Sequence, residues 1–494
     1  MADENVIKPD NFKHHIERFN AMAEETVVNL IPNAESWDWL QQNIPFFECP
    51  DNAVEEIYYF RWWSFRKHLK QTPKGFVFTE FLTPVGHAGD FNTVSCALGH
   101  HIAEGRWLHD RKPIDQYMLY WLRGSDGKPA PKFYKFSNWL AAAAWERYLV
   151  AQDKQFLLGI LDDLVTDYGV WERDRQLPSG LFWQHDVKDG MEESISGSRR
   201  EQQARPTINS YMFANARAIH EIALLADRPE LAREFGIKAE VLRKLTSEYL
   251  WDPELKFFTV RHPEKGFAKV REAIGFIPWR FHLPRPGAGY EVAWAQLMDE
   301  KGFRAPFGVT TAERRHPKFR SSGIGTCEWD GALWPFATSQ TLDALANVLC
   351  DYPQDVVTAS DYFDVFRTYV KSQYADGKPF IGEYQDEVTG AWINRGDRSA
   401  FYNHSTFADS LITGLMGLRP RADDVIKVHP LVPAGTWDWF CLDRIQYHGR
   451  SLTILWDKDG TRYGRGACLQ VLADGEQIAS SDALVKLSGV LPKS

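Results

Sequence analysis

Two short acidic stretches carry the residues best suited to proton transfer. In "KDGMEES", residues 188–194, Glu192 and Glu193 sit side by side behind Gly190 and Met191, with Asp189 just upstream. In "GEYQDEVTGAW", residues 382–392, Glu383 follows a glycine and precedes Tyr384. Two carboxylates in one pocket, one protonated and one ionised, can serve as general acid and general base. An acidic residue just ahead of a helix equally suits the helix's first turn, where the macrodipole favours negative charge. The stretches are distant in the chain, so only a closed fold can bring them together.

Between them lies "GTCEWDGALWPFATSQTL", in which Trp329 and Trp334 bracket Asp330 and Gly331. This is either a packing motif or an indole platform with a carboxylate acceptor, suited to the apolar face and hydroxyls of a polyol. Further candidates for gripping such a ligand are His87 and Asp90 in a glycine-flanked loop, and Trp279 and Arg280 in "GFIPWRFHLP". Tyr384, Trp392 and His404 flank Glu383. Arg61, Trp62 and Trp63 in "YYFRWWSFRKHL" serve either a binding site or a helix core. His100, His101 and Glu104 have helical spacing but not the His-Glu-x-x-His order, so they read as helix packing. No metal and no cofactor is expected.

The 494 residues exceed the usual single-domain size, so two domains or one large barrel is expected. A net charge of -9 without a polybasic run makes nucleic acid and anionic membranes poor partners. The 14% aromatic content fits a well-packed core or a sugar-binding cleft, and a carbohydrate is the expected partner. Six scattered cysteines without a Cys-x-x-Cys pair indicate neither a zinc site nor a disulfide framework. The N-terminus lacks a basic region followed by an apolar one, and no run approaches 18 apolar residues. A cytoplasmic location is therefore expected.

The elements that must position these residues are mostly helices. Trp139, Leu140, Ala143, Ala144 and Tyr148 recur at helical spacing, and a second stripe follows through Phe156, Leu157, Ile160, Leu161 and Leu164. Amphipathic pairs follow in "TINSYMFANARAIHEIALLADR" and "PELAREFGIKAEVLRKLTSEYL", and in "TSQTLDALANVLCDYP" and "SDYFDVFRTYVKSQY". Helical hairpins with long aromatic loops suggest a solenoid or, better, a closed toroid with a pocket on one face. Beyond Pro420 the pattern turns to short alternating runs with turn signals at Asp459–Gly460 and Asp474–Gly475. Residues 1–420 and 421–494 are read as a helical domain and a small β-rich domain.

The three motifs, in this order, resemble those of the (α/α)6-barrel glycosidases of glycoside hydrolase family 63, above all the bacterial-type mannosylglycerate and glucosylglycerate hydrolases. "GMEES" is similar to the Gly-Met/Trp-Asp-x-Ser motif that carries the general acid there, with Glu192 at the aspartate position. "WDGALWP" is similar to a subsite motif Trp-Arg-Gly-x-x-Trp-Pro, with Asp330 at the arginine. "EYQDEVTG" is similar to the general-base motif Glu-Asn/Tyr-x-Asp-Pro-x-x-Gly, without its proline, and a helix is implied over Asn403–Leu418.

The resemblance implies a mainly α fold, an (α/α)6 six-hairpin toroid with a small C-terminal β domain. It implies an inverting, exo-acting glycoside hydrolase with Glu192 as acid and Glu383 as base; Glu193, and more distantly Asp189, are alternative acids. Asp330 removes a cation that would face an anionic aglycone. The β tail also resembles that of α-L-rhamnosidase-like and β-L-arabinofuranosidase-like barrels, implying as an alternative an activity on polysaccharide side chains. Sugar epimerases and isomerases share the barrel but use catalytic histidines, and a non-catalytic sugar-binding protein would need neither glutamate.

Overall fold

The computed structural model describes residues 6–393, 396 and 398–492. Its main body is built from helices that alternate along the chain between an outer and an inner layer. The outer helices α1 (Asn52–Lys67), α3 (Lys112–Arg123), α5 (Leu161–Arg175), α7 (Pro229–Tyr249) and α10 (Ala359–Ser372) alternate with inner helices. The inner ones are α2 (Leu98–Gly105), α4 (Leu140–Ala151), α6 (Pro206–Leu225), α8 (Ile277–Arg280), α9 (Pro335–Asp351) and α11 (Ala408–Ser410), the last continued by a π turn, Leu411–Leu415. A 3₁₀ segment, Tyr290–Gln296, stands in the outer layer between α8 and α9.

Each inner helix packs on the next, α2 on α4, α4 on α6, α6 on α8, α8 on α9, α9 on α11, and α11 returns to α2. That closure makes the body an (α/α)6 toroid. The physical cause lies in composition. Every residue of α2 and α11 is buried, so these helices have no face to give to water and must be enclosed. Outer α7 buries only Ala232, Phe235, Ala239, Leu242 and Thr246, one stripe of an otherwise polar helix.

Local signals set the boundaries. Pro206, Pro229 and Pro335 each stand at the first turn of their helices, where a missing N–H costs nothing. Gln152 adopts a left-handed conformation and stops α4. The helix implied over Asn403–Leu418 starts only at Ala408. Its first N–H groups are capped by Glu104, whose carboxylate accepts from Phe407, Ala408 and Asp409 at 2.9–3.2 Å. His101 Nδ1 meets the Tyr117 hydroxyl at 3.0 Å and its Nε2 donates to the Asn403 carbonyl at 2.6 Å, so both residues tie the ring together.

The C-terminal region forms an antiparallel sheet in the order β1 (Phe46–Glu48), β2 (Trp439–Tyr447), β3 (Arg450–Asp457), β4 (Cys468–Ala473), β5 (Glu476–Ser481). Asp474–Gly475, both at positive φ, make the tight β4–β5 turn, and His448–Gly449 make the β2–β3 turn in the same way. Asp459–Gly460 begins the longer β3–β4 connection instead. The edge strand β1 comes from upstream of the toroid: Phe47 pairs with Leu442, and the exchange buries both. Among the described residues no helix is long and apolar enough to cross a membrane.

Candidate active site

Because successive helices reverse direction, all inner helices point the same way and their N-terminal ends share one mouth of the toroid. A cavity of about 240 Å³ opens there. Its walls come from the segments just ahead of five inner helices: Glu80–Cys96 before α2, Lys135–Phe136 before α4, Val187–Glu192 before α6, Cys327 and Trp334 before α9, and Glu383, Arg398, Tyr402 and His404 before α11. Glu192 and Glu383, distant in sequence, both line it. Cys327 marks their convergence: its thiol is pushed up to about 12 by burial and, next, by the negative charges of Glu192 and Glu383.

Local backbone geometry selects which glutamate faces inward. The helical turn Asp186–Asp189 ends at Gly190 in a left-handed conformation, where a Cβ would stand 2.7 Å from Cys96 Sγ. Two residues on from Met191, Glu193 itself adopts φ 63° and sends its carboxylate to Arg199 at 2.8 Å, near the surface. Glu192 is left turned into the cavity. Asp189 is wholly committed elsewhere, accepting from Arg205 Nε at 2.6 Å, from Ser137 Oγ at 2.6 Å and from the Thr207 hydroxyl.

The two carboxyls differ in their neighbours. Burial pushes Glu192 up to about 7, opposed by a hydrogen bond from its own backbone; the charges of Asp186 and Glu80 push further up against the weaker pull of Arg199. Burial also raises Glu383, but a hydrogen bond from Ser399 and the Arg398 guanidinium, 3.4 Å away, favour its ionised form. Burial raises both carboxyls, and at Glu383 Ser399 and Arg398 offset part of that rise.

The tryptophan segment joins the two loops. Trp329 stacks on Trp334 with centroids 4.8 Å apart, and Trp334 stacks in turn on Tyr384 at 4.8 Å. Trp329 N donates to the Glu192 carbonyl at 3.3 Å, while Leu333 and Gln385 exchange backbone hydrogen bonds at 3.0 Å. A rigid aromatic ladder therefore fixes the backbones that carry both glutamates. Only Trp334 of the three rings lines the cavity.

Among the other sequence candidates, His87 and His404 line the same cavity. Asp330 lies behind it, accepting from Ser322 N at 2.7 Å. Trp392 is buried with its Nε1 donating to the Tyr374 carbonyl at 3.0 Å. Asp90 is exposed on a 3₁₀ turn outside the cavity. Arg61 is buried among Tyr369, Gln373 and Ser405, Trp62 packs on Tyr58 and Phe65, and Trp63 stacks on Phe60, so this trio belongs to the core. Trp279 packs against Phe258 and Trp294. Arg280 forms a bidentate pair with Glu146 at 2.7 and 2.9 Å at the opposite mouth of the toroid, where the inner helices end. Long aromatic and cationic side chains in these segments fill the space between helices rather than the pocket.

Sequence reasoning missed Glu80, Cys96, Lys135, Phe136, Arg398 and Tyr402, all of which line the cavity. Glu80 follows the short strand Gly75–Phe78 as the lone acid of "FVFTEFL", a weak signal. The rest carry none, because only ring closure brings their loops together.

The family model of the mannosylglycerate hydrolase MGH1-like glycoside hydrolase domain matches residues 90–405. The chain belongs to this glycoside hydrolase family. A model of the glycosyl hydrolase family 65 C-terminal domain matches residues 418–479, the region of strands β2–β5. Among solved structures, one named "Sialidase" is 51% identical with a TM-score of 0.97, covering 99% of this chain and 46% of that one, so this chain spans less than half of that protein's length. The family 63 mannosylglycerate hydrolase from Thermus thermophilus in complex with glucose matches at 15% identity and a TM-score of 0.52, covering 74% of this chain and 99% of that one. A family 78 rhamnosidase from a Bacillus species matches at 12% identity and a TM-score of 0.58, covering 85% of this chain and 40% of that one. The last two likenesses concern the fold.

Proposed function

We propose that this glycoside hydrolase-family chain is an inverting, exo-acting glycosidase in which Glu192 is the general acid and Glu383 the general base. One observation carries the reading: the partly buried Glu192 and the buried Glu383 share one cavity, burial raises both carboxyls, and at Glu383 Ser399 and Arg398 offset part of that rise in favour of the ionised form. In the reaction Glu192 gives its proton to the glycosidic oxygen as the C–O bond to the leaving group breaks. Glu383 takes a proton from the water whose oxygen bonds to the anomeric carbon from the opposite face, so the product carries the inverted anomer. The cavity, about 240 Å³ and walled by the loops ahead of five inner helices, suits a terminal sugar unit.

Trp334 presents a ring edge to that sugar, its two faces being taken by Trp329 and Tyr384. A panel of 4-nitrophenyl glycosides (α- and β-mannosides, glucosides, L-rhamnosides, L-arabinofuranosides and a sialoside) tests the activity. ¹H NMR of the first-formed product tests the stereochemistry. Glu383→Gln is expected to lower turnover by about 10²- to 10⁴-fold, the usual contribution of a general base. A retained anomer overturns the inverting assignment, and turnover unchanged by Glu383→Gln overturns its role as base.

A further inference from the structure

A third carboxylate enters the cavity and takes no part in the proton transfers above. Glu80 lines the wall shared by Glu192 and Glu383 and is only 5% exposed. Its Oε1 accepts from the Tyr402 hydroxyl at 2.6 Å and from His404 Nδ1 at 3.0 Å. Its Oε2 is buried and has no partner among the described residues. Burial alone pushes such a carboxyl up, but His404 and Tyr402 outweigh that effect and hold Glu80 below its ordinary range. This is the reverse of Glu192 and Glu383.

The position is firmly built. Asn403 N donates to the Glu80 carbonyl at 3.0 Å and Asn403 Nδ2 to the Thr79 carbonyl at 3.1 Å, while His68 bridges Thr79 and the Phe401 carbonyl. Two segments more than three hundred residues apart in sequence are thus strapped together around one buried negative charge. Burying an ionised carboxylate with an unmet acceptor is costly, and a packed apolar residue would be cheaper if the role were only structural.

The chemistry of the cavity supplies a reason for that cost. Glycosidic bond cleavage passes through an oxocarbenium-like transition state, in which positive charge grows on the sugar ring. A preorganised group aimed at developing charge contributes only as that charge appears, and is worth most where water is excluded. We propose that Glu80 is a third catalytic carboxylate, a fixed anion that faces the cationic ring of the transition state and exchanges neither a proton nor a bond with it. Glu192 and Glu383 move the protons, and Glu80 stays ionised throughout. The proposal rests on the glycosidase reading and adds to it an electrostatic role.

The test compares wild type, Glu80→Gln and Glu80→Asp on whichever 4-nitrophenyl glycoside the wild type hydrolyses. Glu80→Gln is expected to lower kcat by about 10²- to 10³-fold, as for removal of one preorganised charge-stabilising group, with a much smaller change in KM. Calorimetric titration separates charge from shape. The probes are 1-deoxynojirimycin against D-glucose, and 1-deoxymannojirimycin against D-mannose; each pair matches a cationic ring to a neutral one. Glu80→Gln is expected to weaken the iminosugar by at least about tenfold more than the neutral sugar, and Glu80→Asp, which keeps the charge, to retain the wild-type preference. If Glu80→Gln does not fold, Glu80→Asp still decides: a reduced kcat with the preference kept supports the role. Equal weakening of both ligands in Glu80→Gln, an unchanged kcat in Glu80→Gln, or loss of the preference in Glu80→Asp overturns it. Absence of turnover by the wild type on the whole glycoside panel overturns the glycosidase reading itself, and this role with it.

Discussion

Replacing Glu192 by glutamine should disable the enzyme and, above neutral pH, make it more stable. In the folded state burial and the charges of Asp186 and Glu80 raise this carboxyl from 4.5 to about 7. Between those two values the folded protein binds a proton that the unfolded chain has released, so stability falls as pH rises through this window. Each tenfold difference in proton affinity is worth 1.36 kcal/mol, so by pH 8.5 ionised Glu192 costs the fold about 3 kcal/mol relative to pH 4. Glutamine cannot ionise and is free of that penalty.

Thermal melts of wild type and Glu192→Gln at pH 5 and pH 8.5 read the effect. The variant is expected to gain on the wild type by a few degrees at pH 8.5 and by little at pH 5. Its turnover is expected to fall about 10²- to 10⁴-fold, the contribution of a general acid. The loss should be smallest on 4-nitrophenyl glycosides, whose leaving group needs least protonation. In the wild type kcat/KM should decline on the alkaline side with a midpoint near 7, as the acid loses its proton. A pH dependence of stability identical in both proteins would refute the raised carboxyl, and full activity in the variant would refute its role.

Other variants follow from the same geometry. Glu193→Gln should leave kcat and melting temperature near wild type, because its partner Arg199 is a surface contact worth about 0–1 kcal/mol; an activity loss as large as that of Glu192→Gln would reverse the assignment of the acid. Trp334→Ala removes the middle ring of the Trp329–Trp334–Tyr384 stack and should destabilise by about 3–5 kcal/mol in a denaturant melt, with raised KM as the cavity wall loses its indole edge.

How much of this was legible beforehand differs by element. Helix existence was, since the apolar stripes of Leu140–Ala151, Pro206–Leu225 and Pro335–Asp351 repeat at the helical period and their starts carry proline or a polar loop. The helix expected from Asn403 was not, because its first residues are held by Glu80 and His101 in an extended strap. Arg61, Trp62, Trp63, Trp279 and Arg280 misled because a large aromatic or cation looks the same in sequence whether it lines a pocket or fills a helix interface.

The sequence by itself determined the helical periodicity, the turn chemistry of the C-terminal hairpins and the short motifs that mark Glu192, Trp334 and Glu383, all of which are local properties. The tertiary structure decided the rest. A left-handed residue at 193 chose which neighbouring glutamate faces inward, since one backbone rotation redirects a whole side chain. Strand pairing drew Phe46–Glu48 into the C-terminal sheet, because backbone hydrogen bonds accept any sequence of suitable burial. Ring closure placed Glu80 beside Tyr402 and His404: a carboxylate becomes a fixed anion only through the groups that surround it, and those come from the far end of the chain.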